Sequence, residues 1–171
     1  MAALVAARYP AVTWWCPQLP PSPRDAMALL DQGLAGWPPR SMAVMGSSLG
    51  GFYATAVAER LGCKAVLLNP AVNPARDLAH YIGEQTVWQQ PDEHFFFEAR
   101  FVDELRDLRQ GLLRTPKNYL AFIAKGDEVL DWREMATRYA GATLNLLEGG
   151  DHALSDFDTH LPRILDFLDL A

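Results

Sequence analysis

Residues Ser41 to Arg60 read SMAVMGSSLGGFYATAVAER. The opening SMAVM is small or apolar and contains the β-branched Val44, which predicts a short buried strand over 41–45. The closing FYATAVAER predicts a helix. Between them lies Gly46-Ser47-Ser48-Leu49-Gly50, a G-x-S-x-G pentapeptide with Ser48 at its centre. A strand that reverses this sharply into a helix holds its central residue in strained backbone geometry. Glycines two residues on either side remove the side chains that would collide there. Ser48 then stands at the tip of the turn as a candidate nucleophile, and the glycine register selects it over Ser47. The amides that follow open a helix N-terminus, where a developing oxyanion is stabilised; the Leu49 amide is the candidate donor.

Composition bounds the rest. The chain has 171 residues, half of them hydrophobic, which suits one globular domain over 1–171 with a sizeable core. Its net charge is −6, with no basic run and no interleaving of aromatic and basic residues. That argues against nucleic acid and anionic membrane surfaces as partners. Cys16 and Cys63 stand in apolar stretches without metal-ligand spacing, so buried free thiols are expected and a disulfide framework is not. The first residues, MAALVAARYP, lack the positive n-region of a signal peptide. No apolar run approaches transmembrane length, and a reducing cytoplasm is the expected compartment.

In chain order, residues 2–8 predict a helix stopped before Pro10. The β-branched and aromatic Val12–Cys16, VTWWC, predicts a strand. Ser22 followed by Pro23 reads as an N-cap with proline in the first turn, opening a helix that carries Met27, Leu30 and Leu34 at helical spacing. After the pentapeptide and its helix, Lys64–Leu68 (KAVLL) is another buried strand. A long excursion over 70–117 carries Tyr81, Trp88, Phe95, Phe96, Phe97 and Phe101. Tyr119–Ala124 is the next strand, Asp131–Tyr139 a helix, Thr143–Leu147 a final strand, and Leu161–Leu170 a closing helix with Pro162 near its start. Strands that alternate with helices, several of them continuous apolar runs, indicate an α/β fold with a mostly parallel sheet and helices on both faces.

Chemistry in such sheets sits beyond the carboxyl ends of the strands. Ser48, Asp127 and His152 all fall there. A serine hydroxyl needs a base within hydrogen-bond reach, and the base needs a carboxylate to hold its other ring nitrogen. His152 follows a strand and the pair Gly149-Gly150, while Asp127 follows the preceding strand and Gly126. The chain order Ser, Asp, His is that of α/β hydrolases. His80, His94 and His160 compete for the base and read more readily as surface or packing histidines. Glu128 and Asp131 compete for the acid: Asp131 reads as a helix N-cap and Glu128 as pointing away from its neighbour. Asp151 reads as solvent-facing, and Asn69-Pro70 as turn geometry after a strand end.

The segments PQLPPSP (17–23), MGSSLGGFYAT (45–55), LNPAVNP (68–74), GDEVLD (126–131) and EGGDHA (148–153) resemble, in order and over nearly the whole chain, the YqiA/YcfP-type family of bacterial α/β-hydrolase esterases. The resemblance implies a compact α/β hydrolase with Ser48 as nucleophile, Asp127 as acid and His152 as base. It implies hydrolysis of small carboxylic esters or acyl thioesters, without metal or organic cofactor. Members of that type begin with a strand ending in a His-Gly-Phe-like loop, which supplies a second oxyanion donor and lies between the VTWWC strand and the pentapeptide strand. No such segment precedes residues 2–8, so the first strand is expected to be missing through a start set too far downstream or a shortened chain. This form is then expected to be much less active than one extended by that strand.

Two other function classes stay open on the sequence. A hydrolase-derived binding or scaffold protein would keep the same motif residues as turn chemistry. An acyltransferase would use the same three residues with an acceptor other than water. The excursion likewise has two readings: helices packed on the sheet with Phe95–Phe97 in the core, or a small cap whose aromatics line an acyl pocket.

Overall fold

The computed structural model describes residues 1–87 and 90–170; Trp88, singled out above, lies outside them. Strands β1 (Ala43–Ser47), β2 (Lys64–Leu68), β5 (Tyr119–Ala124) and β6 (Thr143–Leu147) form a parallel sheet in the order β1-β2-β5-β6. Strands β3 (Gly83–Val87) and β4 (Gln90–Phe97) form a separate antiparallel pair. The helices are α1 (Ala2–Arg8), α2 (Pro23–Gly33), α3 (Leu49–Leu61), α4 (Pro74–Asp77), α5 (Ala99–Asp107), α6 (Trp132–Arg138) and α7 (Phe157–Phe167). The mostly parallel sheet with its helices is the expected α/β architecture.

The two central strands of the sheet are buried on both faces, and the alternation along β2 and β5 shows how. Ala65, Leu67, Tyr119, Ala121 and Ile123 pack with Ala54 and Ala58 of α3 and Met135 of α6. Val66, Leu68, Leu120, Phe122 and Ala124 pack on the opposite face with Leu154 and with Ile164 of α7. Every residue of β5 is buried, which is why its sequence reads as an unbroken apolar run. Among the described residues no helix is long and apolar enough to cross a membrane.

Two buried carboxylates fasten helices. Ser22 caps α2, its Oγ accepting from the Asp25 amide, and donates to Glu104 of α5 at 2.8 Å. Glu59, at the end of α3, accepts from the Tyr119 hydroxyl and from the Arg114 amide. Burial, then the bond to Glu59, holds the Tyr119 hydroxyl above the ordinary tyrosine range, so it stays a donor. Tyr119→Phe removes a hydrogen bond to a charged acceptor and is expected to cost about 1.5–3 kcal/mol. A fall in the urea midpoint without a change in slope would show it; an unchanged midpoint would mean water replaces the bond.

The structure corrects several sequence expectations. Residues 12–16 are not a strand: Val12, Trp14, Trp15 and Cys16 are exposed in an irregular segment. β-branched and aromatic residues favour a strand only when a ladder partner is within reach. Among the described residues β1 pairs with β2 alone, and nothing pairs with 12–16. Of the thiols only Cys63 is buried. The excursion is not built of helices alone, and Phe95–Phe97 are not all core. The β3–β4 hairpin delivers Phe97 against Phe101 of α5, ring centroids 5.5 Å apart, in a core shared with α2 and α3, while Phe96 faces solvent. α7 begins at Phe157, four residues before the expected start, and contains Pro162. The proline removes only the helical bond to the carbonyl of Asp158, an exposed residue that water can satisfy.

Candidate active site

The site is built at the carboxyl ends of β1, β2, β5 and β6. β1 runs two residues further than its apolar pattern suggests, to Ser47, and α3 begins at Leu49. Ser48 therefore makes the whole reversal, with φ 53° and ψ −122°. That conformation costs a non-glycine residue about 1–3 kcal/mol and persists only where the surroundings enforce it. Here they do: the Ser48 amide donates to the Leu68 carbonyl at 2.9 Å, and its carbonyl accepts from the Ala71 amide at 3.0 Å. A Cβ on Gly46 would lie 2.1 Å from the Gly50 carbonyl oxygen, so that glycine is sterically required. The second required glycine is Gly51, whose Cβ would lie 2.7 Å from Pro70 Cβ; around Gly50 there is open space, contrary to the motif argument. Ser48→Gly and Ser48→Ala both delete the hydroxyl, and only glycine relieves the backbone. The glycine variant is expected to be more stable by about 1 kcal/mol in chemical unfolding, and equal stability would show that Ser48 is unstrained.

Asp127 follows β5 by three residues. Its Oδ1 accepts from the amides of Val129 and Leu130, both at 2.8 Å, which fixes the plane of the carboxylate. Its Oδ2 then faces His152 Nδ1 at 2.8 Å. The Asp127 side chain is fully buried, whereas that of His152 is 21% exposed. The loops carrying the two residues touch backbone to backbone. A Cβ on Gly126 would stand 2.4 Å from the Gly150 carbonyl oxygen, and the Gly126 amide donates to Gly149. His152 Nε2 lies 2.9 Å from Ser48 Oγ. A carboxylate only accepts, so Nδ1 carries the proton and the neutral ring presents a bare Nε2 to the Ser48 hydroxyl. Leu49 is the first residue of α3, so its N–H is one of the helix's terminal donors without an intrahelical acceptor. The arrangement can take a proton from Ser48 and hold the resulting imidazolium against a buried carboxylate.

The competing residues lie elsewhere or do other work. His80 stacks on Tyr81, His94 is exposed on the hairpin, and His160 packs against Phe122. Asp131 caps α6 through the Arg133 amide. Asp151 accepts from the Ser155 amide, and hydrogen bonds from Ser155 hold its carboxyl below the ordinary aspartate range. Two residues at the site exceed what the sequence reading assigned them. Glu128 accepts from the His152 amide at 3.0 Å, and Asn69 donates to the carbonyls of Asp151 and His152. An asparagine placed directly after a buried strand and before a proline was the available signal for the second.

Solved structures share this architecture. Alpha/beta hydrolase domain-containing protein 10 from mouse superposes with a TM-score of 0.64 at 17% identity, over 86% of this chain and 70% of its own. A monoacylglycerol lipase from Paleococcus ferrophilus gives 0.61 at 14% identity, over 88% of this chain and 76% of its own. The esterase domain of a Rhodothermus marinus protein gives 0.52 at 25% identity, over 79% of this chain and 60% of its own. The fold is that of the α/β hydrolases. The model of the uncharacterised protein family UPF0227 matches residues 1–169, and the chain belongs to that family, the YqiA/YcfP type its sequence resembles.

Proposed function

We propose that the protein is a serine hydrolase of small acyl esters or acyl thioesters. The observation that carries this is the unbroken hydrogen-bonded chain from Ser48 Oγ through both nitrogens of His152 to the buried Asp127 carboxylate. Hydrolases, an esterase and a lipase among the structures with this fold agree with it. In this reading Ser48 Oγ attacks the acyl carbon as His152 Nε2 takes its proton. The oxyanion of the tetrahedral intermediate lies against the Leu49 N–H. Collapse expels the alcohol or thiol, which leaves with the proton from His152, and the acyl group stays on Ser48. Water then gives a proton to His152 and attacks the acyl carbon, and the acid departs as the proton returns to Ser48.

A panel of short-chain acyl esters and acyl thioesters tests the reading, with release of alcohol or thiol followed from the first turnover. Saturable turnover that is lost in Ser48→Ala is expected. Failure to hydrolyse any member of the panel, by a folded protein, would contradict it. Addition of a second alcohol or thiol should leave the free acid as the main product; a predominant transfer product would make the protein an acyltransferase instead.

A further inference from the structure

Asn69 is the first residue after β2 and has no exposed surface. Its φ is 40°, in the left-handed region that asparagine tolerates better than most residues. Its amide donates to the Phe122 carbonyl of β5, which ties the turn to the neighbouring strand. The side chain is fully engaged. Oδ1 accepts from the Ala124 amide at 2.8 Å, and Nδ2 donates to the carbonyls of Asp151 at 2.9 Å and His152 at 3.1 Å. An amide donor on one side and two carbonyls on the other leave one orientation for the carboxamide.

Those carbonyls belong to the two peptide planes that flank the His152 Cα. The plane before it also contains the His152 N–H, which donates to Glu128 Oε2 at 3.0 Å. Asn69 and Glu128 together therefore hold both planes, and with them the direction of the His152 Cβ. Only the side-chain torsions remain, and Asp127 sets the ring. The loop that carries His152 has no ladder of its own to do this: it runs from Gly149 to Ser155 between β6 and α7 as irregular backbone. The neighbours of Asn69 also hold the other reacting group, since Leu68 and Ala71 bind the Ser48 amide and carbonyl. One turn, residues 68–71, thus references the backbones of both Ser48 and His152.

We propose that Asn69 and Glu128 form a clamp that positions the imidazole of His152 over Ser48, an inference that rests on the serine-hydrolase reading. Neither side chain touches the reacting oxygen; both act through the His152 backbone. A displacement of about 1 Å at a reacting group can cost on the order of 10²-fold in rate, while substrate binding that does not use His152 is untouched. The clamp should therefore appear in kcat and not in KM.

The test uses kinetics of ester hydrolysis and fluorophosphonate labelling, with thermal unfolding of each variant. Asn69→Asp keeps the size and the acceptor for Ala124 but replaces two donors with an oxygen facing two carbonyls. It is expected to lower kcat on the order of 10²-fold at nearly constant KM. Glu128→Ala removes an exposed side chain and is expected to lower kcat by roughly tenfold at constant KM, because Asn69 still binds both carbonyls. Glu128→Gln keeps the acceptor and drops the charge, so it should restore kcat. Parental kcat in Glu128→Ala, or in folded Asn69→Asp, would overturn the clamp. Failure of Glu128→Gln to restore activity would overturn it too, showing that Glu128 acts through charge. Should Asn69→Asp not fold, the Glu128 pair decides alone. A parent chain that neither labels nor turns over would refute the serine-hydrolase reading itself, a result distinct from active variants of an active parent.

Discussion

Ser48→Ala is expected to reduce kcat for ester hydrolysis by about 10⁵–10⁶-fold and to abolish covalent labelling by a fluorophosphonate. The size follows from what the hydroxyl does. Without Oγ there is no acyl-enzyme, and His152 has no proton to accept from the protein. What remains is transition-state binding by the helix N-terminus, which alone leaves a residual acceleration of about 10³–10⁴-fold over water. The substitution should barely disturb the fold, because the strained turn is held by backbone bonds to Leu68 and Ala71 rather than by the side chain. Ser47, exposed at the end of β1, supplies the internal control. Ser47→Ala should keep most of the activity; loss of activity there, with Ser48→Ala still active, would move the nucleophile by one residue.

The second large effect is expected from Asp127→Asn, about 10⁴-fold in kcat with little change in thermal midpoint. The surroundings of Asp127 determine how the asparagine must sit. The Val129 and Leu130 amides need an acceptor where Oδ1 now is, so the carboxamide oxygen goes there and its NH₂ is turned towards His152. Nδ1 of the imidazole must then accept, which moves the ring proton to Nε2. A protonated Nε2 points at Ser48 Oγ and cannot take its proton. The loop keeps its hydrogen bonds while the base is held in the wrong tautomer. Loss of activity together with loss of the fold would point to a structural role for the carboxylate. Retention of more than a tenth of the activity would mean that Asp127 does not orient the base.

Much of the fold is legible because burial leaves a direct trace in the chain. β5, and β2 after Lys64, are unbroken apolar runs because strands covered on both faces admit no polar interruption until they emerge, and the half-exposed edge strand β6, TLNLL, still shows its bounds in its leucines. The caps of α2 and α6 are equally legible, because Ser22 and Asp131 each satisfy a helix amide within three residues. What failed depended on partners distant in sequence. VTWWC carries strand propensity but has no strand to pair with in the described residues, so propensity alone misleads. The β3–β4 hairpin was missed for the opposite reason. GEQTV and QPDEHFFF mix Thr, Val and Phe with Gly, Glu, Pro and Asp, so composition is ambiguous there and their pairing with each other makes them strands.

The site divides along the same line. Ser48, Asp127 and His152 meet because each lies just past the end of a strand of one parallel sheet, a placement that strand periodicity and local glycines reveal. The roles of Gly51, Asn69 and Glu128 are set by what lies across the turn. Gly51 is needed because Pro70 rests on it, and Asn69 meets carbonyls 82 and 83 residues away in the chain. Local pattern marks Asn69 as unusual, after a buried strand and before a proline, but does not name the partners it meets.

The central claim is that Ser48 is acylated. Mass spectrometry of the intact protein after brief exposure to a fluorophosphonate, followed by mapping of the modified peptide, tests it most directly. The account predicts one adduct per chain, on Ser48, formed in the parent and absent from both Ser48→Ala and a heat-unfolded sample. An adduct on any other residue, or none on folded protein that hydrolyses esters, would contradict it.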